Sequence, residues 1–149
     1  MQKKLTKLQA YNVMLKYLEN EYHRNESDYL GNILSNSEFL SDKIPGDRAS
    51  WSDWKQAINI TALKDKSLKN KNRLTLLQTC KAMFNYINFY ANFYPEIPKD
   101  FIDLLQLLES LQNKYKTQDP VWQEWLSIVN EIIKRDDPRV YLKFVKKLK

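Results

Sequence analysis

At 149 residues, with 43% hydrophobic and 13% aromatic residues, the chain can build one packed domain and is too apolar to remain unfolded. Two glycines and five prolines are too few turn-formers for a many-stranded β protein, so the composition points to an all-α fold. The net charge of +6 is diffuse except at residues 64–73 and 143–149, and no nucleic-acid-binding motif accompanies it, so nucleic acid is not the expected partner.

A single cysteine, Cys80, excludes an intramolecular disulfide and fits a reducing compartment. No apolar run approaches the ~20 residues of a membrane span, and the charged N-terminal stretch reads as an amphipathic helix instead of a signal peptide. The expectation is a cytoplasmic protein with no membrane partner.

In chain order, Leu5, Leu8, Tyr11 or Val13, Leu15, Leu18 and Tyr22 recur at three- and four-residue steps, which predicts a first helix fading near His23-Arg24-Asn25. Ser27 is the N-cap of a second helix with Tyr29, Leu30, Ile33 and Leu34, extending toward Phe39 and Leu40. Gly31 lies inside that pattern, where it costs about 1 kcal/mol against alanine, so a neighbouring backbone is expected close by. Pro45-Gly46 marks a turn within residues 41–48. Ser50 is then read as the cap of a third helix carrying Trp51, Trp54, Ala57 and Ile58. Residues 61–72 read as a solvated linker or a short extra helix.

The pattern restarts at Leu74, with Leu77, Cys80, Phe84, Ile87, Ala91 and Tyr94 on one face of a fourth helix. Pro95 and Pro98 end it, and Pro98 opens a fifth helix with Phe101, Leu104, Leu105, Leu108 and Leu111. Asp119-Pro120 starts a sixth through Trp122, Trp125, Val129, Ile132 and Ile133. Asp137-Pro138 starts a short terminal helix over about 137–148, and no stretch reads as a strand.

The four tryptophans form two matched pairs, Trp51-Ser52-Asp53-Trp54 and Trp122-Gln123-Glu124-Trp125, at an offset of 71 residues. Residues 8–18 align with 77–87 at an offset of 69, and Asp28-Tyr29-Leu30 with Asp100-Phe101-Ile102 at 72. Three blocks in one order suggest a duplicated three-helix unit within a single domain of residues 1–149. Unit one spans about 4–60, the linker 61–72 and unit two about 73–135. Two units are too few for a solenoid, so a shared core is expected, with Trp51, Trp54, Trp122 and Trp125 inside it.

Catalytic chemistry finds little support. His23 is the only histidine and stands at a helix end, Cys80 occupies an apolar helical position, and the acids lack metal-ligand spacing. Gly31 and Gly46 cannot form a dinucleotide or phosphate loop. No cofactor, metal or enzymatic activity is expected. Tyr86, Phe89, Tyr90, Phe93 and Tyr94 crowd aromatic rings onto the fourth helix beyond one face. Either that helix is buried all round, or part of its surface meets a partner, with Asp28 and Tyr29 as further candidates for that surface.

The run from Tyr17 to Leu34, YLENEYHRNESDYLGNIL, followed by Pro45-Gly46-Asp47 and Trp51-Ser52-Asp53-Trp54, resembles a family of small bacterial helical proteins. The family pattern is F-L-E-x-Y-Y-x-R-x-x-S-D-D-L-G, a D-G turn, and D-P-x-x-W-x-D-W. Residues 10–58 carry the resemblance and 77–130 a degenerate echo. Tyr29 replaces the second acid of S-D-D, and the second copy lacks the glycine. These proteins are similar to contact-dependent growth inhibition immunity proteins. The resemblance implies an inhibitor that occludes a cognate protein toxin and has no catalysis of its own. A helical adaptor or homo-oligomeric scaffold is the alternative, and a basic nucleic-acid binder follows it.

Overall fold

The computed structural model describes residues 4–37 and 48–136, so the expected terminal helix at 137–148, the Pro45-Gly46 turn and Phe39-Leu40 lie outside the described residues. Six helices follow in chain order: α1 (Lys7–Asn25), α2 (Asp28–Ser37), α3 (Arg48–Lys64), α4 (Leu76–Ala91), α5 (Lys99–Asn113) and α6 (Pro120–Asp136). Two short strands, β1 (Lys4–Thr6) and β2 (Arg73–Thr75), were not expected and pair antiparallel. The all-α reading holds, and the strands are a local addition to it.

Each strand feeds a helix through the same four residues. Thr6 accepts from the Gln9 amide at 3.1 Å while the Gln9 side chain accepts from the Thr6 amide at 2.9 Å; Thr75 and Gln78 repeat this at 3.1 and 2.9 Å. Both are capping boxes, which satisfy two otherwise unpaired amides at a helix start. Leu5 therefore belongs to β1 and not to the first helix, and Leu74 to β2. Both leucines are fully buried.

The strand register relates the halves. Leu5 faces Leu74, its own counterpart at the 69-residue offset, while Lys4 faces Thr75 and Thr6 faces Arg73. A pairing in which each residue meets the other's counterpart is the pattern of a two-fold interface. The helices follow it: α3 packs against α4, and α6 against α1. Each third helix thus lies on the first helix of the opposite half. One core cluster unites the two, with Tyr11, Met14, Leu18, Trp54, Ile58, Met83, Tyr86, Ile87, Trp125 and Val129 among its members.

Several local expectations change. Ser50 lies inside α3 and is buried, because the helix starts at Arg48. At Gly31 an added Cβ would meet the Tyr22 ring at 3.2 Å, so a side chain and not a backbone sets the need for glycine. The chain turns from α1 into α2 at Glu26, which takes a left-handed φ of 49°. Ser27 caps α2 through the Leu30 amide, and Asp119 caps α6 through the Val121 amide at 2.9 Å. Pro98 stands just outside α5 as its N-cap and not at its first position. α4 ends at Ala91, before Tyr94. Residues 61–64 belong to α3, and 65–72 form an ordered turn pinned by buried Leu68 and by the Gln78 side chain on Ser67.

The tryptophans split. Trp54, Trp122 and Trp125 are buried, whereas Trp51 is half-buried against the edge of Tyr11. The Trp54 indole donates to the Lys7 carbonyl at 3.1 Å, while the Trp125 indole N–H has no partner among the described residues. Trp54→Phe should therefore cost about 1 kcal/mol more than Trp125→Phe, since only the first strands a bonded carbonyl. Chemical denaturation of the two variants measures the difference, and equal losses would contradict it.

Candidate partner-binding surface

The acid within each tryptophan pair has a structural task. Asp53, on α3, accepts from the Tyr90 hydroxyl at 2.9 Å at the far end of α4. Glu124, on α6, accepts from Arg24 at the far end of α1. Both acids thus tie a third helix to the first helix of the other half. On the 69-residue offset, Glu21 corresponds to Tyr90, Arg24 to Phe93, Asn20 to Phe89 and Asn25 to Tyr94. The same joint is closed by ions in one half and by aromatic rings in the other.

The ionic joint is largely satisfied. Arg24 also binds Glu21, which is buried and receives the Asn25 side chain at 3.4 Å. The hydrogen bond to Glu124 raises the Arg24 pKa further above its ordinary value. Tyr17 lies in the same region, and burial, then the nearby Glu21 and Glu124 charges, push its hydroxyl well above the ordinary tyrosine range.

The aromatic joint leaves apolar surface in solvent. A ladder of edge-to-face rings climbs from the core: Trp54 to Tyr86 at 5.9 Å, Tyr86 to Tyr90 at 5.0 Å, Tyr90 to Phe89 at 5.7 Å, and Phe89 to Phe93 at 4.9 Å. Tyr86 is fully buried and belongs to the core, whereas Phe89 is 38% and Phe93 65% exposed. The fourth helix is therefore not buried all round. Tyr90 stands between, and burial, then the Asp53 contact, raise its hydroxyl pKa against the opposing hydrogen bonds.

On the other flank of the α4 end, Tyr29 meets Tyr94 edge-on at 5.3 Å, and both contact Phe101 at 5.6 Å. Pro95 halts α4 by removing a backbone donor. Tyr29, Tyr94, Pro95, Ile97 and Pro98 then line an open cleft of about 450 Å³ with Glu96 and Lys99. Asp28 is exposed at the start of α2, next to Tyr29. Phe89, Tyr90 and Phe93 thus form one ring cluster, whereas Tyr29 meets Tyr94 and Phe101 on the other flank, with Asp28 exposed beside it. Sequence reasoning placed Tyr94 among the crowded rings of the fourth helix but missed Ile97 as a cleft-lining residue; the Tyr-Pro-Glu-Ile-Pro run was its signal.

Elsewhere the chemistry is structural. Cys80 is fully buried, and burial raises its thiol pKa. His23 is solvated and lies 3.8 Å from Glu19. Among the described residues no group of three His, Cys, Asp or Glu side chains is placed to hold a metal ion, and no helix is long and apolar enough to cross a membrane.

The raised tyrosines set an alkaline limit. In the unfolded chain Tyr17 and Tyr90 ionise near pH 10, but in the folded chain they hold their protons higher, so stability is intact below pH 10 and falls above it. Denaturation curves between pH 9 and 11 should show the fall, reduced in Tyr17→Phe; an unchanged slope in that variant would remove Tyr17 as a cause.

Comparison with protein-family models, with curated proteins and with solved structures returns no match.

Proposed function

We propose that the chain is an immunity protein that binds a cognate bacterial protein toxin in the cytoplasm and blocks it by occlusion. The observation carrying this reading is the unequal treatment of one joint. The fold closes it at the end of α1 with Arg24 and Glu21 against Glu124 of α6, so exposed rings are not a requirement of folding there. In the second half the places corresponding to Asn20, Arg24 and Asn25 hold Phe89, Phe93 and Tyr94, each at least 36% exposed. Exposed rings on a rigid ladder lose little conformational freedom on binding and bury large apolar area, the traits of interface anchors. The resemblance of residues 10–58 to immunity proteins supplies the class of partner.

Occlusion needs no catalytic group in the inhibitor. The apolar rings provide affinity by desolvation, and Asp28, Glu96 and Lys99 at the margin provide orientation. A net charge of +6 suits a toxin whose contacting surface is acidic or apolar.

Co-expression with the toxin encoded beside this chain tests the reading. Protection by the wild type, and its loss in Phe93→Ala with an unchanged melting curve, is the expected result. An anchor of this kind contributes about 2–4 kcal/mol, or roughly 30- to 1,000-fold in affinity. Full protection by Phe89→Ala/Phe93→Ala would place the contact elsewhere, and a harmless neighbour would remove the immunity reading. A scaffold that self-assembles through the same rings would instead show multiples of the 17.9 kDa mass that disappear in Phe93→Ala.

A further inference from the structure

Much of the holding contact in this fold crosses between the halves. β1 pairs with β2, α3 packs on α4, and α6 packs on α1. The two acid joints, Tyr90 to Asp53 and Arg24 to Glu124, also cross, as does Ser27 to Asp100 at 2.8 Å. The only covalent crossing between the described halves is residues 65–72. Its first part is pinned by Asp65, Ser67 and buried Leu68, while residues 69–72 are exposed.

A two-fold relation with a single linking loop has a physical consequence. Every inter-half contact can be made equally well by the matching half of another chain, because each surface involved meets the same complement. Only the loop distinguishes the closed monomer from a reciprocal pair, and eight extended residues reach roughly 26–29 Å. Exchange of identical elements is then limited by the loop and not by the interfaces.

We propose that the partner of this interface is a second copy of the chain: two copies exchange halves across residues 65–72, so that the first half of each completes its core with the second half of the other. This pairing is independent of the toxin-binding reading and leaves Phe89 and Phe93 exposed in both copies.

Charge reversal at the ionic joint tests it in the full chain. Arg24→Glu sets a third acid against Glu21 and Glu124 in its own monomer, and Glu124→Arg places two cations together. When the two variants are unfolded and refolded together, exchange brings the two substituted positions into one joint, where the new acid meets the new cation. The other joint then holds the unaltered Arg24 and Glu124, so each joint carries an acid–cation pair across the halves. The expected product is a heterodimer at twice 17.9 kDa, holding one mass-tagged chain of each kind, in excess over either variant refolded alone. Deleting residues 69–72 from the wild type should likewise move the chain from monomer to dimer at unchanged helical content. Monomers alone in the joint refolding together with a folded monomeric deletion variant would overturn the proposal. So would dimers that Phe93→Ala abolishes, which would put the contact at the aromatic corner; dimers that survive Phe93→Ala support exchange whatever the outcome with a toxin. If the deletion variant does not fold, the joint refolding decides alone, and its failure to give heterodimer overturns the proposal.

Discussion

The architecture depends on the pairing of Leu5 with Leu74 in a sheet of two three-residue strands. Such a ribbon is too short to be stable by itself, and its value lies in what it aligns. With both leucines buried and a capping box immediately after each strand, it sets where α1 and α4 begin and in which direction each runs. Once two equivalent helices leave a two-fold ribbon, the third helix of each half finds its apolar groove on the other half. The shared core is a consequence of that geometry.

The tryptophan pairs are read differently in this light. Spacing i, i+3 puts one ring of each pair fully inside, Trp54 and Trp125, and the acid before it at the helix edge. There Asp53 and Glu124 reach the end of the opposite first helix. The motif is a packing anchor joined to a polar tie. Symmetry is broken in the details: Trp122 and Trp125 stack at 5.2 Å, whereas Trp54 meets Tyr11 and Tyr86 at 5.9 Å each. The largest break is at the helix ends, where an ionic cluster faces an aromatic one. That difference is what makes the second-half corner a functional candidate instead of a by-product of packing.

Helix identity was legible because the apolar residues recur at helical spacing and because Ser27, Asp119 and the prolines punctuate them at positions with local meaning. The strands were not legible, since three residues cannot display a period of two, and Leu5 fell in step with Leu8 as if on a helix. The signal that would have found them is the repeated Leu-Thr-x-Leu-Gln at residues 5–9 and 74–78, which carries both capping boxes. Ser50 misled for a related reason: its spacing to Asp53 imitates a cap, but the structure buries the hydroxyl within α3. Tyr86 and Phe93 look alike in composition. Only the packing around α4, which covers Tyr86 and stops short of Phe93 beyond the helix end, separates a core ring from an exposed one.

By itself, then, the sequence determined the helical class, the approximate helix boundaries, the 69–72-residue correspondence of the halves and the density of rings on α4, because these follow from spacing and local hydrogen-bonding chemistry. Tertiary structure alone decided which half each third helix packs against, that Asp53 and Glu124 close equivalent joints, and that Phe89 and Phe93 remain outside while Tyr86 goes in. Those outcomes depend on contacts between residues tens of positions apart, where burial is set by the neighbour that arrives and not by the local pattern.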